Sequence, residues 1–179
     1  MSAGFTLHID TSALMATARN IKRAEKVVPI AIWRGMLDGS RKVTTVVKRA
    51  LKEQSGAKKL KTVTERVTVM PSASALRYVI AVSGKTTDIK DFGAKKTGKG
   101  INASPWNNPR LFKRSFYLEG MYMARTTSKR FPIRTLHGPN LAKEAMTGVV
   151  PGRFELTVRY EIPPKILARV AAALGSGKA

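Results

Sequence analysis

The chain has 179 residues, 43% of them hydrophobic, which is enough for one domain with a substantial core and too little for two full domains. It carries 33 lysines and arginines against 11 aspartates and glutamates, a net charge of +22. It has no cysteine, which excludes disulfides, thiolate nucleophiles and cysteine metal sites. We predict one domain over residues 1–175 and a disordered tail at 176–179.

The positive charge favours a polyanionic partner, because lysines that neutralise phosphates release bound counterions. The alternative is that the charge only keeps the protein soluble and causes non-specific adhesion to nucleic acid, and charge alone does not choose between the two. Two lysine-rich runs supply the candidate contacts to DNA or another polyanion: Lys58, Lys59, Lys61, Lys95, Lys96 and Lys99.

The N-terminal third is predicted to be mainly helical. Residues 5–10 alternate as in a short strand, and an apolar spacing typical of a helix follows. The clearest element is a helix over 29–54, with its proline at the first helical position and Gly56 as its stop. Gly35 and Gly39 weaken its middle, so we expect a kink or a close packing contact there.

The middle of the chain is predicted to form strands. Alternating or β-branched segments indicate strands at 66–70, 76–82, 112–118 and 121–126, with a hairpin turn at Glu119-Gly120. Residues 93–109 are dense in Gly, Lys, Asn and Pro, so they are predicted to form an extended loop or a long, irregular hairpin.

The C-terminal part is predicted to return to helix. Gly138-Pro139 indicates a turn, after which Asn140 can cap a short helix that ends at Met146. Residues 153–162 alternate as in a strand, and Pro163-Pro164 is predicted to start a helix that ends at Gly175. The fold class is therefore α+β, with long N-terminal helices packed on a mostly antiparallel sheet and a C-terminal helix.

The sequence offers little material for catalysis. Gly84-Lys85-Thr86 follows a strand, but the first glycine of a phosphate-binding loop is missing, so a hairpin turn is the better interpretation. The histidines, His8 and His137, lie in an edge strand and beside a turn, and Asp88 with Asp91 more readily caps a turn than binds a cation. We predict no enzyme, no catalytic residues, no cofactor and no metal site.

Trp106 lies in the basic segment between Pro105 and Asn107. It could stack on a nucleic-acid base, or it could anchor a neighbouring subunit, as isolated loop tryptophans often do. Trp33 borders the apolar stripe of the long helix and is better explained as a core residue.

Residues 130–140 have the sequence RFPIRTLHGPN. This stretch resembles the minor tail protein Z family of tailed bacteriophages, whose pattern is a basic residue, Pro-Ile, a few residues, and Gly-Pro-Ser opening a helix. Asn140 replaces the serine and caps a helix equally well. The likeness covers about residues 28–147, including Ser115-Phe116-Tyr117 and Arg125, and members tend to be helical near 151–160. The resemblance therefore slightly favours a helix over the strand suggested by the alternation there.

The resemblance implies a tail-completion or neck subunit that joins tail to head around the DNA channel. It implies a homo-oligomeric ring, commonly a hexamer, and partners among the tail terminator, tail tube and head completion proteins, with non-specific contact to genomic DNA. The expected location is the virion tail or neck after assembly in the host cytoplasm, with no membrane. The alternative is a free protein that binds nucleic acid without sequence specificity. Candidate interface residues are Trp106, Phe116, Tyr117, Arg130, Pro132, Ile133, Gly138, Pro139 and Asn140.

Overall fold

The computed structural model describes residues 12–175, with side chains described from residue 20 onward. The predicted strand at 5–10, His8 and the predicted tail at 176–179 lie outside the described residues. Two long helices dominate: α1 spans Ser12–Ser55 and α4 spans Val149–Gly175. At 1.5 Å per residue they are roughly 66 and 40 Å long. The short helices α2, Leu60–Thr64, and α3, Leu141–Ala145, lie between them in the chain.

Helix α1 starts well before the predicted boundary. Pro29 lies inside the helix, so its predicted place at the first helical position is wrong. A proline inside a helix removes one backbone hydrogen bond, and packing along the helix must offset that loss. The predicted stop is confirmed: Gly56 has a φ of 79°, the left-handed conformation that ends a helix, and its N–H donates to the Lys52 carbonyl at 3.1 Å.

Helix α4 resolves the two predictions for residues 153–162. They are helical, so the strand suggested by their alternation is wrong, and Pro163 and Pro164 lie within the helix rather than at its start. Val158 and Ile162, four residues apart, both pack on the core. A strand would place Leu156 and Tyr160 on the same face as these two, but both are exposed, as the helical period requires.

Helices α1 and α4 pack side by side along most of their length, and we call this pair the helical hairpin. Two glycines allow the close approach. A Cβ added at Gly35 would lie 2.5 Å from the Ile166 Cα, and one at Gly39 would lie 2.9 Å from the Ile162 Cγ1. The predicted close contact at these glycines is therefore confirmed. Ion pairs join the helices along the same seam: Glu53–Arg153, Lys42–Glu161 and Asp38–Arg169.

Within the described residues the strands form three small antiparallel sheets. In the first, β1 (Val67–Ser72) pairs with β2 (Arg77–Val82). The second contains β3 (Lys95–Thr97), β4 (Gly100–Ala103) and β5 (Arg110–Lys113), and the third contains β6 (Ser115–Leu118), β7 (Met121–Arg125) and β8 (Ile133–Thr135). The α+β class is confirmed.

Two local predictions in the strand region have clear outcomes. The hairpin turn at Glu119-Gly120 is confirmed, and both residues have positive φ, 48° and 83°. Residues 93–109 form an irregular hairpin, not an extended loop: β3 and β4 pair, and a 3-10 turn at Pro105–Asn107 follows. Ile101 and Ala103 are buried, so this basic segment is folded onto the rest of the molecule.

The core has two adjoining parts. Most of the larger part comes from the helices, through Val43, Val47, Leu51, Leu141 and Val150, with Val63 and Phe92 from the segment after α1. The smaller part lies under the sheets and contains Ile89, Ile101, Ala103, Ala124 and Leu136. We call residues 56–140 the basic body. The C-terminal end of α1 packs into it, and the N-terminal part of α1 runs on alongside α4.

Candidate functional site

Gly138, Pro139 and Asn140, the last residues of the 130–140 stretch, bind to earlier parts of the basic body. The Gly138 N–H donates to the Thr87 carbonyl at 2.8 Å, and the Thr87 hydroxyl donates to the Pro139 carbonyl at 2.7 Å. A Cβ added at Gly138 would lie 2.1 Å from the Phe92 ring, so only glycine fits there. Pro139 is fully buried. Its predicted place in a subunit interface is therefore wrong for the folded chain, because no side-chain surface remains for a neighbour.

Asn140 has the capping role predicted for it. Its side-chain oxygen accepts from the backbone N–H groups of Ala142 and Lys143 at 3.0 and 3.3 Å, and its amide nitrogen donates to the Gly84 carbonyl at 3.0 Å. The residue thus fastens the start of α3 to the segment after β2. Gly138, Pro139 and Asn140 act together as an internal clasp.

The segment that resembles a phosphate-binding loop is extended. No helix opens at Thr86, and the Arg66 guanidinium donates to the Thr86 carbonyl at 3.1 Å. The hairpin turn predicted here is also wrong, because β2 is followed by the 3-10 turn Ile89–Phe92. Asp88 caps that turn by accepting from the Lys90 N–H at 3.0 Å, as predicted.

The other candidate interface residues of the 130–140 stretch, Arg130, Pro132 and Ile133, lie at or near the surface. Arg130 stacks on the exposed Phe131 ring, 5.7 Å from its centroid, and the Pro132 carbonyl accepts from the Thr126 N–H at 3.1 Å. Pro132 is exposed, and Ile133 is half-buried in β8. A neighbouring subunit could reach Arg130, Phe131 and Pro132 without any change in the fold.

A second aromatic group lies on the β6–β7 hairpin. The Arg125 guanidinium lies 5.6 Å from the centroid of the half-buried Phe116 ring. Tyr117 is exposed, and its ring centroid lies 5.1 Å from that of Tyr122. Arginine and aromatic side chains of this kind are enriched at protein interfaces.

Trp106 is held in place by a polar network that the sequence did not indicate. Its indole N–H donates to Glu144 Oε1 at 2.8 Å, and Gln54 Nε2 donates to Glu144 Oε2 at 2.8 Å. Asn107 donates to the Glu53 carbonyl at 2.7 Å, which fixes the turn to the end of α1. About half of the Trp106 side chain stays exposed. The tryptophan is therefore a rigid surface residue and not the tip of a free loop.

Gln54 is the centre of this network. Its amide nitrogen also donates to the backbone carbonyls of Glu144 and Thr147 at 3.0 and 3.1 Å, and its oxygen accepts from the Val149 N–H at 3.0 Å. One side chain thus satisfies groups at the end of α3 and at the start of α4, where helices have unpaired backbone groups.

All six lysines predicted to contact a polyanion are exposed. The two runs approach each other, because the Lys58 side chain passes over Gly93, two residues before Lys95. Within the described side chains, Lys61 pairs with Glu65 and the other five form no ion pair. The basic body holds about half of the lysines and arginines but only about a third of the acids. It therefore presents uncompensated positive charge.

In the helical hairpin, three carboxylates form ion pairs between the two helices. They belong to Asp38, Glu53 and Glu161, and they lie along the seam between α1 and α4. The hydrogen bond from Arg169, at 2.7 Å, lowers the pKa of Asp38 below its usual 3.8. In the basic body, burial raises the pKa of Asp91, and the nearby carboxylate of Asp88 adds to that rise.

Other site types have little support in the described part of the chain. Residues 20–175 contain no group of three His, Asp or Glu side chains placed to hold a metal ion.

An apolar groove of about 490 Å³ lies between α1, β2, α3 and α4, lined among others by Val47, Ile80, Met146 and Phe154.

The described helices include none that is both long and apolar enough to cross a membrane. Comparison with protein-family models, with curated proteins and with solved structures gives no match for this chain.

Proposed function

We propose that this chain is a structural subunit of a tailed bacteriophage virion, a non-enzymatic tail-completion or neck protein that forms a ring joining tail to head. The resemblance of residues 130–140 to the minor tail protein Z pattern supports the proposal. The internal clasp at Gly138, Pro139 and Asn140 gives the second half of that pattern a role in the fold. The motif is thus explained without a substrate.

The observation that carries the proposal is the exposed positive charge of the basic body. The basic body has 17 lysines and arginines against 4 acids, and five of the six lysines in its two runs form no ion pair within the described side chains. A ring around a DNA channel needs positive potential without base recognition, together with faces that contact identical copies. The basic body suits the first need, and the exposed groups at Arg130–Phe131, Phe116–Tyr117 and Trp106 suit the second.

The test combines purified chain with isolated tail tubes of the encoding phage. We expect electron microscopy to show a ring at one end of each tube, containing several copies of the chain. Phe131→Ser removes an exposed aromatic side chain beside Arg130 and should weaken docking, whereas Leu76→Ser in the β1–β2 turn, also exposed, serves as the matched control. Only monomers that never dock on tubes would contradict the proposal.

A second candidate function is non-specific nucleic-acid binding, favoured by the exposed and mostly unpaired lysines of the two runs. It predicts duplex DNA binding whose logarithm falls steeply with the logarithm of salt concentration. Each phosphate contact contributes a slope of about −0.9, so replacing all six lysines with glutamine should reduce the slope by up to about 5. The matched control neutralises the same number of charges on α1: Lys22, Lys26, Arg34, Arg41, Lys48 and Arg49.

Fluorescence anisotropy with a labelled duplex of arbitrary sequence measures both slopes. A shallow slope with weak binding at low salt would remove this candidate. Equal losses in the two sets of variants would mean that binding reflects net charge alone and not the lysines of the basic body.

A further inference from the structure

The outer face of α4 carries an apolar stripe that is largely exposed. Four large side chains on it are more than half exposed: Leu156 (56%), Tyr160 (69%), Leu167 (68%) and Leu174 (54%). With the exposed Pro163 and the half-buried Val170, they recur at alternating steps of four and three residues. This is the heptad spacing of a helix that packs along its length against another helix.

The stripe is separate from the face that α4 presents to α1. Val158 and Ile162 pack on the core, and Ile166 lies against Gly35. At 100° per residue Val158 lies roughly 160°, Ile162 roughly 120° and Ile166 roughly 80° from the middle of the stripe. Helix α4 is therefore apolar on the side that packs on α1 and the core and also on a second, exposed side, a pattern typical of a helix with more than one neighbour. The hairpin supplies only one of those neighbours.

The stripe is free of charge over roughly 27 Å from Leu156 to Leu174, at 1.5 Å per residue. Its flanks contain Thr157, Pro164 and Ala171 on one side and Arg159, Ile166 and Ala173 on the other. The charged residues Glu161, Lys165 and Arg169 fall toward α1, where Glu161 and Arg169 form the ion pairs of the seam. A helix docked on the stripe would bury no unpaired charge, apart from contact with Arg159 at one edge.

We propose that this stripe packs against the same stripe of a second copy of the chain, with the two α4 helices antiparallel. A two-fold axis that crosses the stripe at the level of residue 165 would place Leu156 of one protomer opposite Leu174 of its partner, Tyr160 opposite Val170, and Pro163 opposite Leu167. The stripe is thus complementary to itself in this register, as a two-fold interface requires.

Charge decides the orientation. A parallel pair would bring the two basic bodies together, because each body adjoins the N-terminal end of α4. An antiparallel pair places them at opposite ends of helices roughly 40 Å long, which is several times the Debye length of about 8 Å at physiological ionic strength. The antiparallel contact therefore forms with less repulsion between the two basic bodies than a parallel contact would.

The size of the contact predicts a reversible dimer. A face about 27 Å long and about 10 Å wide, the diameter of a helix, is at the small end of specific interfaces. We therefore expect dimers that dissociate on dilution. This two-fold contact closes on itself and differs from the head-to-tail contact of a ring, so either interface can be lost while the other remains.

Sedimentation velocity of the full chain across micromolar concentrations tests the dimer. We expect the mass to rise from one to two chains, and the double variant Leu156→Glu/Leu167→Glu to stay monomeric with unchanged circular dichroism. The control is Leu111→Glu, which places the same charge on an exposed leucine of β5 and should still dimerise. A monomer at every concentration, a dimer that survives the double variant, or a control that also stays monomeric would overturn the proposal.

Crosslinking tests the register, since the natural chain has no cysteine. Under mild oxidation, a mixture of the single variants Leu156→Cys and Leu174→Cys should form disulfide-linked pairs of one with the other. Each variant alone should stay largely uncrosslinked. Rapid crosslinking of Leu156→Cys with itself would show a parallel pair and overturn the antiparallel arrangement. Loss of the dimer leaves ring formation on tail tubes as an independent measurement.

Discussion

At the scale of single residues, glycines and one amide side chain set how the elements meet. Gly35 and Gly39 are small enough for α4 to lie against the α1 backbone, and Gln54 satisfies backbone groups of both α3 and α4. The sequence predicted a close contact or a kink at the glycines, because two glycines four residues apart in a helix lie on one face. It did not predict the Gln54 network, whose partners are about 90 residues away in the chain.

Gly35→Ala should destabilise the protein. The added methyl group would lie 2.5 Å from the Ile166 Cα, and backbone atoms cannot move aside as the end of a side chain can. We expect a loss of about 1–3 kcal/mol in the free energy of unfolding, more than the up to about 1 kcal/mol that alanine gains over glycine in a helix.

Gly152→Ala is the control, since no atom lies within 4 Å of its added Cβ and the residue is in α4. It should stabilise by about 0.5–1 kcal/mol. Urea unfolding measures both variants. A neutral or stabilising Gly35→Ala would contradict the close packing of the two helices.

Gln54→Ala should lower the free energy of unfolding by about 1–2 kcal/mol. The Val149 N–H and the carbonyls of Glu144 and Thr147 lose their hydrogen-bond partner and gain only partial access to water. Glu53→Gln is the neighbouring control. It weakens the exposed ion pair with Arg153, so its effect should stay below about 1 kcal/mol. Thermal unfolding of both proteins gives the comparison, and equal effects would argue against a special role for Gln54.

At the scale of elements, most helices and strands were predictable, because their apolar periodicity and turn residues agree. The helix boundaries at Pro29 and at Pro163-Pro164 were predicted wrongly, because a proline is a local signal for a helix start. A proline inside a helix costs about 3 kcal/mol, and here packing between the two long helices offsets that cost. Residues 153–162 fit both a period of two and a helical period. Only the presence of α1 beside them selects the helix.

The hairpin seam should lose stability in acid. The pKa of Asp38 is lowered by the hydrogen bond from Arg169, so the folded state holds this carboxylate charged more strongly than the unfolded state does. That contribution is present above the usual value of 3.8 and is lost as pH falls through the lower folded value. The side chains of Asp38 and Arg169 are partly exposed, so we expect their interaction to contribute no more than about 1 kcal/mol to the free energy of unfolding.

The measurement is the difference in unfolding free energy between the natural chain and Asp38→Asn, at neutral pH and well below the usual carboxyl pKa. The difference should shrink as pH falls. Glu155→Gln, at an exposed position with no ion pair in the described part of the chain, should show little difference at either pH. A difference for Asp38→Asn that grows in acid would contradict the assignment.

At the scale of the whole molecule, six exposed lysines lie on the basic body, and α4 carries a stripe of exposed apolar side chains. The sequence indicated six lysines as candidate polyanion contacts, and all six are exposed in the structure. It placed Pro139 wrongly at an interface, since a short motif does not reveal that Thr87 and Phe92, some 50 residues earlier in the chain, enclose it. The outer stripe of α4 was also missed, because residues 153–162 alternate as in a strand and the helix was predicted to start only at Pro163-Pro164, so the stripe was divided between two elements.

The central claim is that the chain works by its place in the virion, at the junction of head and tail. Imaging by electron microscopy of virions that carry a labelled copy of this chain tests it most directly. We predict that the label lies at the head-proximal end of the tail, in several copies per particle. Label elsewhere in the particle, or intact and fully infectious particles that lack the chain, would contradict the claim.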